Sequence, residues 1–475
     1  MRMNEVYAQR DLLKPERTAL TVDSTPKGAG TAAPSRERTA APSRERTAAS
    51  SRERTQAEDF PKWVKPGKSF GLLTGAAQLV FLVIFFRSTV DPTLIGPDDA
   101  AASRYFGVTL MIFLGFGYLR AFLKAYGLGA IGFTMLIVSL GTQWSMILES
   151  LARQVELKVE SMALLHADLG VAAVLVSFGA VIGRISPTQI VMLVLLELPV
   201  YTINKVFVIH HFDTSKHVRD GGSTIVVHVF GAYFGLAAAT VLGPAVKDRL
   251  KCSSYQSDIF SLIGTMFLWM FLPTFVAVEQ VTPVLQTKAI LNTILALLTS
   301  TVTSFGLTQI LQDGKIGTRA VQNATLAGGV TIGATASIVG PFGAGVLGIM
   351  AGALSRVAFS HSSIFKSVDS CGIHNLHGLP GLLGGVFSIV SPVFYNDTNL
   401  APFEQTVALA STLMLAVLSG ACCGFAMKAI ELLHDDKDLR TAAANIGLNP
   451  SDLQIEPYSD AAWWTGEGEG PVIEL

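Results

Sequence analysis

The feature of the sequence that most constrains the fold is a series of about twelve apolar stretches between residues 70 and 430. A helix that spans a membrane needs about 20 consecutive, mostly apolar residues, and each stretch is close to that length. The stretches cover residues 70–87, 104–124, 127–149, 162–183, 187–210, 221–243, 257–279, 288–311, 320–339, 341–360, 371–393 and 403–430. Because the connections are short, the sequence predicts an all-α, multi-pass membrane protein with about twelve transmembrane helices in one bundle.

Composition excludes several other classes of protein. Only 15% of the residues are charged, against about 25% in ordinary soluble domains, and a net charge of −1 argues against a nucleic-acid partner. The four cysteines have no zinc-site spacing, and a solvated loop explains His210, His211 and His217 more simply than a metal does. We therefore expect no metal and no cofactor. The span count excludes a seven-helix receptor, and the paired Asn-Pro-Ala loops of a water channel are missing from the sequence.

Two polar segments flank the apolar region. Residues 1–68 contain the eight-residue repeat TAAPSRER twice and then TAASSRER, a composition that predicts a disordered tail. We expect no cleaved secretory signal, because no apolar run lies near Met1. Residues 431–475 are acidic and predict a second polar tail. The predicted domains are thus a cytosolic tail at 1–68, a transmembrane domain at 69–430 and an acidic cytosolic tail at 431–475.

Basic residues predict the orientation, since Lys and Arg concentrate in cytoplasmic loops. The loops on the side of the N-terminal tail contain Arg120, Lys124, Arg184, Lys247, Arg249, Lys251, Lys315, Arg319, Arg356 and Lys366. Loops on the other side are richer in acidic residues. This bias and an even number of crossings predict that both termini are cytoplasmic. The predicted location is the plasma membrane. Asn396, in the sequon Asn396-Asp397-Thr398 of the last outer loop, is a candidate glycosylation site.

Ionisable side chains inside membrane spans are costly and are therefore candidates for function. They are His166, Asp168, Glu197, Lys205, His228 and His377. Two of them belong to a repeated unit, because Asp220 precedes His228 by eight residues and Asp369 precedes His377 by eight. Eight helical residues rise about 12 Å, which places each aspartate at the membrane surface and each histidine well inside.

The two units enter from opposite faces, because five crossings separate them. Such an inverted repeat, here of 5+5 helices, is typical of transport proteins with paired sites near the midplane. Spacing leaves His374, one turn before His377, as an alternative inner histidine. Asp220 could also be a helix cap, and Asp168 could form a buried ion pair with Lys205.

At these residues the sequence resembles a known family. The strings DGGSTIVVHVFGAYFGL, DSCGIHNLHGLPGLLGG and VQNATLAGGV resemble the Rh (Rhesus) glycoproteins of the ammonium transporter/Mep/Rh superfamily. The strings MIFLGFGYLRAFLKAYGLGAIGF, FGAVIGRISP and GTMFLWMFLP match as well, so the likeness runs from about residue 105 to 424. The resemblance implies the ammonium-transporter fold, a homotrimer with one pore in each subunit, and conduction of ammonia.

The resemblance also implies roles for individual residues. His228 and His377 match the paired pore histidines, and Asp220 and Asp369 match the acidic residues of the vestibules. Phe275 matches one of two phenylalanines that close the outer pore.

Two positions depart from the family pattern. Leu169 stands at the second phenylalanine position, so the expected constriction consists of Phe275 and Leu169. A leucine can occlude a pore but offers no aromatic face to a cation. Lys205 stands where the family has an acidic residue, which changes the local charge.

The predicted function is a channel-type transporter of ammonia or ammonium, and not an enzyme. Ammonium is expected to gather at an acidic outer vestibule, lose its proton at the constriction and pass as NH3 between the two imidazoles, which offer a donor and an acceptor. Methylammonium is a further expected substrate. The alternatives are a channel for CO2 and a non-conducting ammonium sensor or membrane anchor.

Overall fold

The computed structural model describes residues 69–90, 100–209, 218–243, 253–311, 316–361, 365, 367–395, 401–435, 460 and 464. In these residues we distinguish twelve main helices. They are α1 Ser69–Phe85, α2 Ala101–Phe122, α3 Lys124–Arg153, α4 Ser161–Val181, α5 Pro187–Ile209, α6 Thr224–Leu242, α7 Tyr255–Val276, α8 Pro283–Leu311, α9 Thr318–Ile332, α10 Pro341–His361, α11 His374–Tyr395 and α12 Pro402–Asp435. Ten of them are long and apolar enough to cross a membrane, and α1 and α9 are shorter. The predicted all-α multi-pass fold is confirmed.

Some helices begin or end at other residues than the predicted apolar stretches do. A helix extends further where its polar turns remain helical, and it ends earlier where another backbone lies close to it. Helix α8 begins at Pro283 rather than near residue 288, since proline favours the first turn of a helix and the polar residues after it are still helical. Helix α9 ends at Ile332, and a single 3-10 turn follows at Gly333–Thr335. Two short strands, Thr89–Val90 and Lys158–Val159, pair in parallel between the ends of the helices.

Local sequence signals fix several helix starts. Ser186 precedes Pro187 and forms a capping box with Gln189, so α5 begins with its first amides satisfied. Ser254 and Ser257 form the same reciprocal arrangement at the start of α7. Both motifs are visible in the sequence, and each also reaches a neighbouring helix, since Gln189 donates to the carbonyl oxygen of Met427 at 2.9 Å and Ser257 to that of Phe122 at 3.3 Å.

Glycines allow the closest approaches between helices. A Cβ atom at Gly235 of α6 would lie 2.5 Å from the Cα of Ser177 in α4. A Cβ atom at Gly222 would lie 2.5 Å from the Cα of Gly333, where the start of α6 crosses the end of α9. Small residues make such contacts possible where lipid gives no hydrophobic drive for association. The backbone that leads to His228 is therefore packed directly against a second backbone.

The buried charged residues Asp168 and Lys205 do not have the partners that the sequence predicts. Asp168 accepts hydrogen bonds from the hydroxyls of Thr109, at 3.2 Å, and Thr142, at 3.5 Å. Lys205 instead lies against two glutamates, described below. The suggested ion pair between Asp168 and Lys205 is therefore wrong, because threonine hydroxyls from α2 and α3 satisfy the aspartate.

A buried arginine joins α2 to α4. Arg120 donates from Nε to the carbonyl oxygen of Phe116 at 3.0 Å and from Nη1 to that of Leu175 at 2.6 Å. Its guanidinium also lies 5.7 Å from the ring centre of Phe116 and 5.0 Å from that of Phe178. These contacts fix Phe116, which lines the site described next.

Two residues of the C-terminal tail contact the start of α3. The Asp460 carboxylate accepts hydrogen bonds from the amides of Leu128, at 2.7 Å, and Gly129, at 2.6 Å. The Trp464 ring lies 5.4 Å from the ring of Phe133. Burial raises the pKa of Asp460 to about 6. A residue more than 300 positions away along the chain thus caps a transmembrane helix.

Candidate pore site

His228 and His377 occupy matched positions in the first turns of α6 and α11. Each lies in a π-helical turn, a local widening that is frequent at functional sites. Each turn follows a residue with left-handed backbone, Ser223 with φ of 60° and Gly372 with φ of 77°. The same local sequence unit therefore produces the same local structure twice.

Asp220 caps the first turn of α6. Both of its carboxylate oxygens lie 3.0 Å from the amide nitrogen of Ile225, and one accepts from the amide of Val226 at 2.7 Å. The side chain is only 8% exposed. Burial raises the pKa of Asp220 to about 7, although these backbone hydrogen bonds act in the opposite direction. The structure thus gives Asp220 a positioning role in the helix that carries His228.

Asp369 does the same for α11. Its carboxylate accepts from the amides of Gly372, Ile373 and His374 at 2.8 to 2.9 Å. Burial raises the pKa of Asp369, and the charge of Arg184 opposes that effect. Both aspartates are helix caps, and their attraction of ammonium in the vestibules stays a prediction.

The two histidines meet in the centre of the bundle. Their Nδ1 atoms are 3.1 Å apart, and their rings lie nearly parallel, with centroids 5.0 Å apart. One Nδ1 must donate and the other must accept, so the neutral rings take opposite tautomers. Neither Nε2 atom has a hydrogen-bond partner among the described residues. The pair therefore offers one free Nε2–H donor and one free Nε2 acceptor.

His374 is not a member of this pair. Its ring lies 4.8 Å from the ring of Phe365 and 6.0 Å from that of Tyr233. The alternative left open by spacing is thereby decided in favour of His377.

A small cavity adjoins the two imidazoles. Its volume is about 20 Å³, enough for one molecule of the size of water, which needs roughly 10–15 Å³ by this measure. The lining residues are Met111, Phe116, His228, Leu268, Leu272, Phe275, Leu326, Val330 and His377. The two imidazoles are the polar side chains of this set, so the cavity suits a small neutral molecule that can form hydrogen bonds.

Aromatic rings flank the histidine pair. The Phe275 ring lies 5.9 Å from the His228 ring, and the Phe116 ring lies 6.2 Å from the His377 ring. Leu169 is fully buried in α4 and is not in the set that lines the cavity. A constriction formed jointly by Phe275 and Leu169 stays a prediction. Asn396 lies outside the described residues.

A group of charges that sequence reasoning did not bring together lies at the ends of α3, α5 and α7. Lys205 Nζ is 3.0 Å from Glu279 Oε1 and 3.5 Å from Glu149 Oε1. The two His166 nitrogens lie 3.7 and 3.8 Å from the same two oxygens, and Arg153 Nε lies 3.0 Å from Glu149 Oε1. We call these five residues the outer charge cluster, because the loop charges predict that Glu149 and its neighbours lie on the outer side.

The outer charge cluster lies close along the chain to Phe275 and Leu169, the residues of the predicted constriction, which we call the gate. His166 precedes Leu169 by three residues on α4, and Glu279 follows Phe275 by four residues at the end of α7. An open depression of about 590 Å³ reaches the cluster, and Glu149 and His166 lie in its wall. The sequence predicts His166 and Lys205 as ionisable residues inside spans, and spacing from Phe275 could have pointed to Glu279, but nothing in the sequence pairs Glu279 with Lys205.

The fold agrees with the comparison to known proteins. Residues 103–441 match the sequence model of the Ammonium Transporter Family. This chain belongs to that family. Bovine ammonium transporter Rh type A (Bos taurus) is 37% identical over 333 residues, which are 68% of this chain and 77% of the bovine protein. Human ammonium transporter Rh type B (Homo sapiens) is 39% identical over 343 residues, 67% of this chain and 74% of the human one.

Solved structures of the family superpose on this chain. Nitrosomonas europaea Rh50, described as a channel of the Rhesus protein family, is 31% identical, with a TM-score of 0.63 over 74% of this chain and 97% of that one. Saccharomyces cerevisiae Mep2 has a TM-score of 0.61 at 18% identity and covers 76% of this chain and 92% of its own, which supports the fold alone. This member of the ammonium transporter family is thus an Rh-type, integral multi-pass membrane protein, and not an enzyme.

Proposed function

We propose that this chain conducts ammonia across the membrane. Ammonium gathers on the outer side, loses its proton at the constriction and passes the histidine pair as NH3. The observation that carries the proposal is the small cavity lined by His228 and His377, which has a volume for one small molecule and adjoins two imidazoles whose Nε2 atoms have no partner among the described residues.

The cavity favours the neutral form of the substrate. A charge at the centre of a bilayer costs at least about 2.5–3.5 kcal/mol, and none of the nine lining side chains is a carboxylate that could offset it. Apolar side chains and two imidazoles surround the space. Ammonium must therefore give up its proton to water on the outer side before it enters, and the side chains of Phe275 and Leu169 mark the proposed place where water is excluded.

The tautomers of the pair match the hydrogen-bonding groups of NH3. Ammonia accepts one hydrogen bond through its lone pair and donates through its N–H groups. The protonated Nε2 of one histidine donates to that lone pair, and the unprotonated Nε2 of the other accepts an N–H. An apolar pore thereby gives the molecule a replacement for the water that it leaves behind.

In the proposed mechanism, acidic residues at the starts of α6 and α11 form the vestibules. Asp220 holds the turn of His228 and adds negative charge on the outer side, and Asp369 does the same for His377 on the inner side. The distribution of charged residues in the loops supports two cytoplasmic termini, and residence in the plasma membrane and glycosylation at Asn396 belong to the same proposal. A homotrimer, with tails at 1–68 and 431–475 around the membrane domain, completes the proposed organisation.

The test is ammonia flux through the purified chain in liposomes that contain a pH-sensitive dye. We expect His228→Ala and His377→Ala each to lower the flux several-fold, because the remaining imidazole loses its partner and the cavity loses a polar contact. His374→Ala is the matched control, since it removes an imidazole one turn away on the same helix. Wild-type flux in both pore variants would contradict the proposal.

The same liposomes separate the alternative functions. A CO2 gradient in place of an ammonia gradient tests a CO2 channel through the same cavity, and membrane current recorded at the same time tests movement of ammonium charge. A well-folded chain that conducts neither gas would instead be a sensor or an anchor.

A further inference from the structure

The outer charge cluster holds a lysine in a place that suits a free cation. The ammonium group of Lys205 lies between the carboxylates of Glu149 and Glu279, at 3.5 and 3.0 Å. An ammonium group on a side chain and the ammonium ion have the same charge and donate hydrogen bonds in the same way. The two carboxylates therefore form a site for a small N–H donating cation, and the chain itself occupies it.

The position of this lysine relative to the pore follows from the helices that hold its partners. Glu279 lies one turn beyond Phe275, whose ring contacts His228, and Glu149 lies in the wall of the open depression. A cation that enters that depression meets Glu149, which shares the ammonium group of Lys205 with Glu279. Lys205 thus stands on the approach to the gate and not in the histidine cavity.

Burial makes the charge of Lys205 effective. Its side chain is 3% exposed, whereas those of Glu149 and Glu279 are 14% and 16% exposed. Salt screens exposed charges over about 8–10 Å but screens buried pairs much less. Lys205 and Arg153 together balance the two carboxylates, so the cluster has no net charge while Lys205 is present and a net charge of −1 without it.

We propose that Lys205 is a specificity-determining residue, a tethered substitute for ammonium that lowers the affinity of the outer entrance for free ammonium and alkylammonium ions. The proposal rests on the proposed conduction of ammonia, and it limits how strongly ammonium gathers on the outer side before it loses its proton. While Lys205 occupies the site, entry of ammonium depends on its concentration in the surrounding solution. With the site vacated, Glu149 and Glu279 concentrate cations at the gate.

A purely structural role for the same ion pairs predicts something different. Removal of one partner of a buried ion pair destabilises a protein strongly, because a charge is left without its partner, so a purely structural Lys205 would change the melting temperature and leave the affinity for cations unaltered. Affinity is therefore the measurement that separates the two roles.

The experiment measures the dissociation constant of methylammonium for the purified full-length chain by calorimetry, and ammonia flux in liposomes in parallel. Lys205→Met is expected to lower that constant about tenfold, because it removes a unit charge a few ångströms from the site. Lys205→Arg keeps the charge and is expected to bind as the wild type does. Lys288→Met is the matched control, since Lys288 Nζ donates to the carbonyl of Ile338, at 2.9 Å, and not to a carboxylate.

An equal dissociation constant in Lys205→Met and the wild type overturns the proposal. If Lys205→Met does not fold, Glu149→Gln decides the matter, because it leaves Lys205 in place with one carboxylate and is expected to weaken methylammonium binding. Unchanged or tighter binding in Glu149→Gln then overturns the proposal. Failure of the proposed function is recognised separately, as absence of ammonia flux in the wild type, because the binding measurement does not need conduction.

Discussion

Replacement of Asp220 distinguishes a residue that positions the pore from one that attracts the substrate. Asp220→Ala removes both the negative charge and the acceptor for the amides of Ile225 and Val226. Asp220→Asn removes the charge and keeps one oxygen in nearly the same place. The two variants therefore separate the helix cap from the electrostatic contribution.

The structure sets the expected size of the effect. Ile225 and Val226 are 0% and 4% exposed, so water does not replace the lost acceptor. A buried donor without a partner costs about 1–3 kcal/mol, and loss of a helix N-cap costs about 0.5–2 kcal/mol. We expect Asp220→Ala to lower the free energy of unfolding by about 2–4 kcal/mol, and Asp220→Asn by about half as much, since it keeps one of the acceptors.

The pKa of Asp220 adds a pH dependence of known sign. Burial raises this pKa to about 7, above the value of about 3.9 for a free aspartate, so the folded chain holds the proton more tightly than the unfolded chain. The contribution to stability is complete below pH about 4 and is lost as the pH rises through about 7. Asp220→Asn does not ionise and is expected to lack this component in melting curves recorded from pH 4 to 8.

Ammonia flux in liposomes, beside the melting temperature, completes the test. A positioning role predicts that Asp220→Asn keeps most of the flux and that Asp220→Ala loses most of it. Equal losses of flux in two variants that both melt as the wild type does would refute the reasoning, because the charge would then matter and the cap would not.

Three further perturbations test the surroundings of the pore. Phe275→Ala is expected to raise water permeability, measured by light scattering after an osmotic step, and to cost about 3–5 kcal/mol of stability; Phe275→Leu is its conservative control. Arg120→Lys is expected to lower the melting temperature, because lysine lacks the planar fork that reaches two carbonyl groups between two rings. Burial raises the pKa of Cys371 to about 12, so its thiol is expected to resist maleimide at pH 8 until the chain is unfolded, as mapped by mass spectrometry. Unchanged water permeability, unchanged melting or rapid labelling of the native chain would contradict these expectations in turn.

Much of the fold follows from the sequence because each membrane-spanning segment must by itself be apolar and long enough to cross the bilayer. Apolar length alone identifies the twelve helices, and the spacing of Asp220 from His228 identifies one of the two units that form the pore. The ends of the helices are less predictable. Helix α8 begins in polar residues at Pro283, and α9 gives way to a 3-10 turn at Gly333, where another backbone approaches.

The outer charge cluster is a part of the structure that the sequence does not predict. Glu149, Lys205 and Glu279 are separated by 56 and 74 positions along the chain, and ion pairs have no periodicity that would connect such residues. The sequence predicts Lys205 as an unusual buried charge. Its partners depend on how α3, α5 and the end of α7 pack. The predicted pair with Asp168 does not form, because two threonine hydroxyls satisfy that aspartate.

The inverted repeat implies one more consequence for the pore. Asp220 and Asp369 each hold the turn of one histidine, and the two histidines share a single hydrogen bond between their Nδ1 atoms. Displacement of either turn breaks that bond, so a second displacement has little left to remove. The loss of ammonia flux in the double variant Asp220→Ala/Asp369→Ala should therefore be close to the larger of the two single losses, although the losses of stability should add. Multiplying losses of flux would mean that each histidine acts alone, and that the two helix starts form independent halves of the pore.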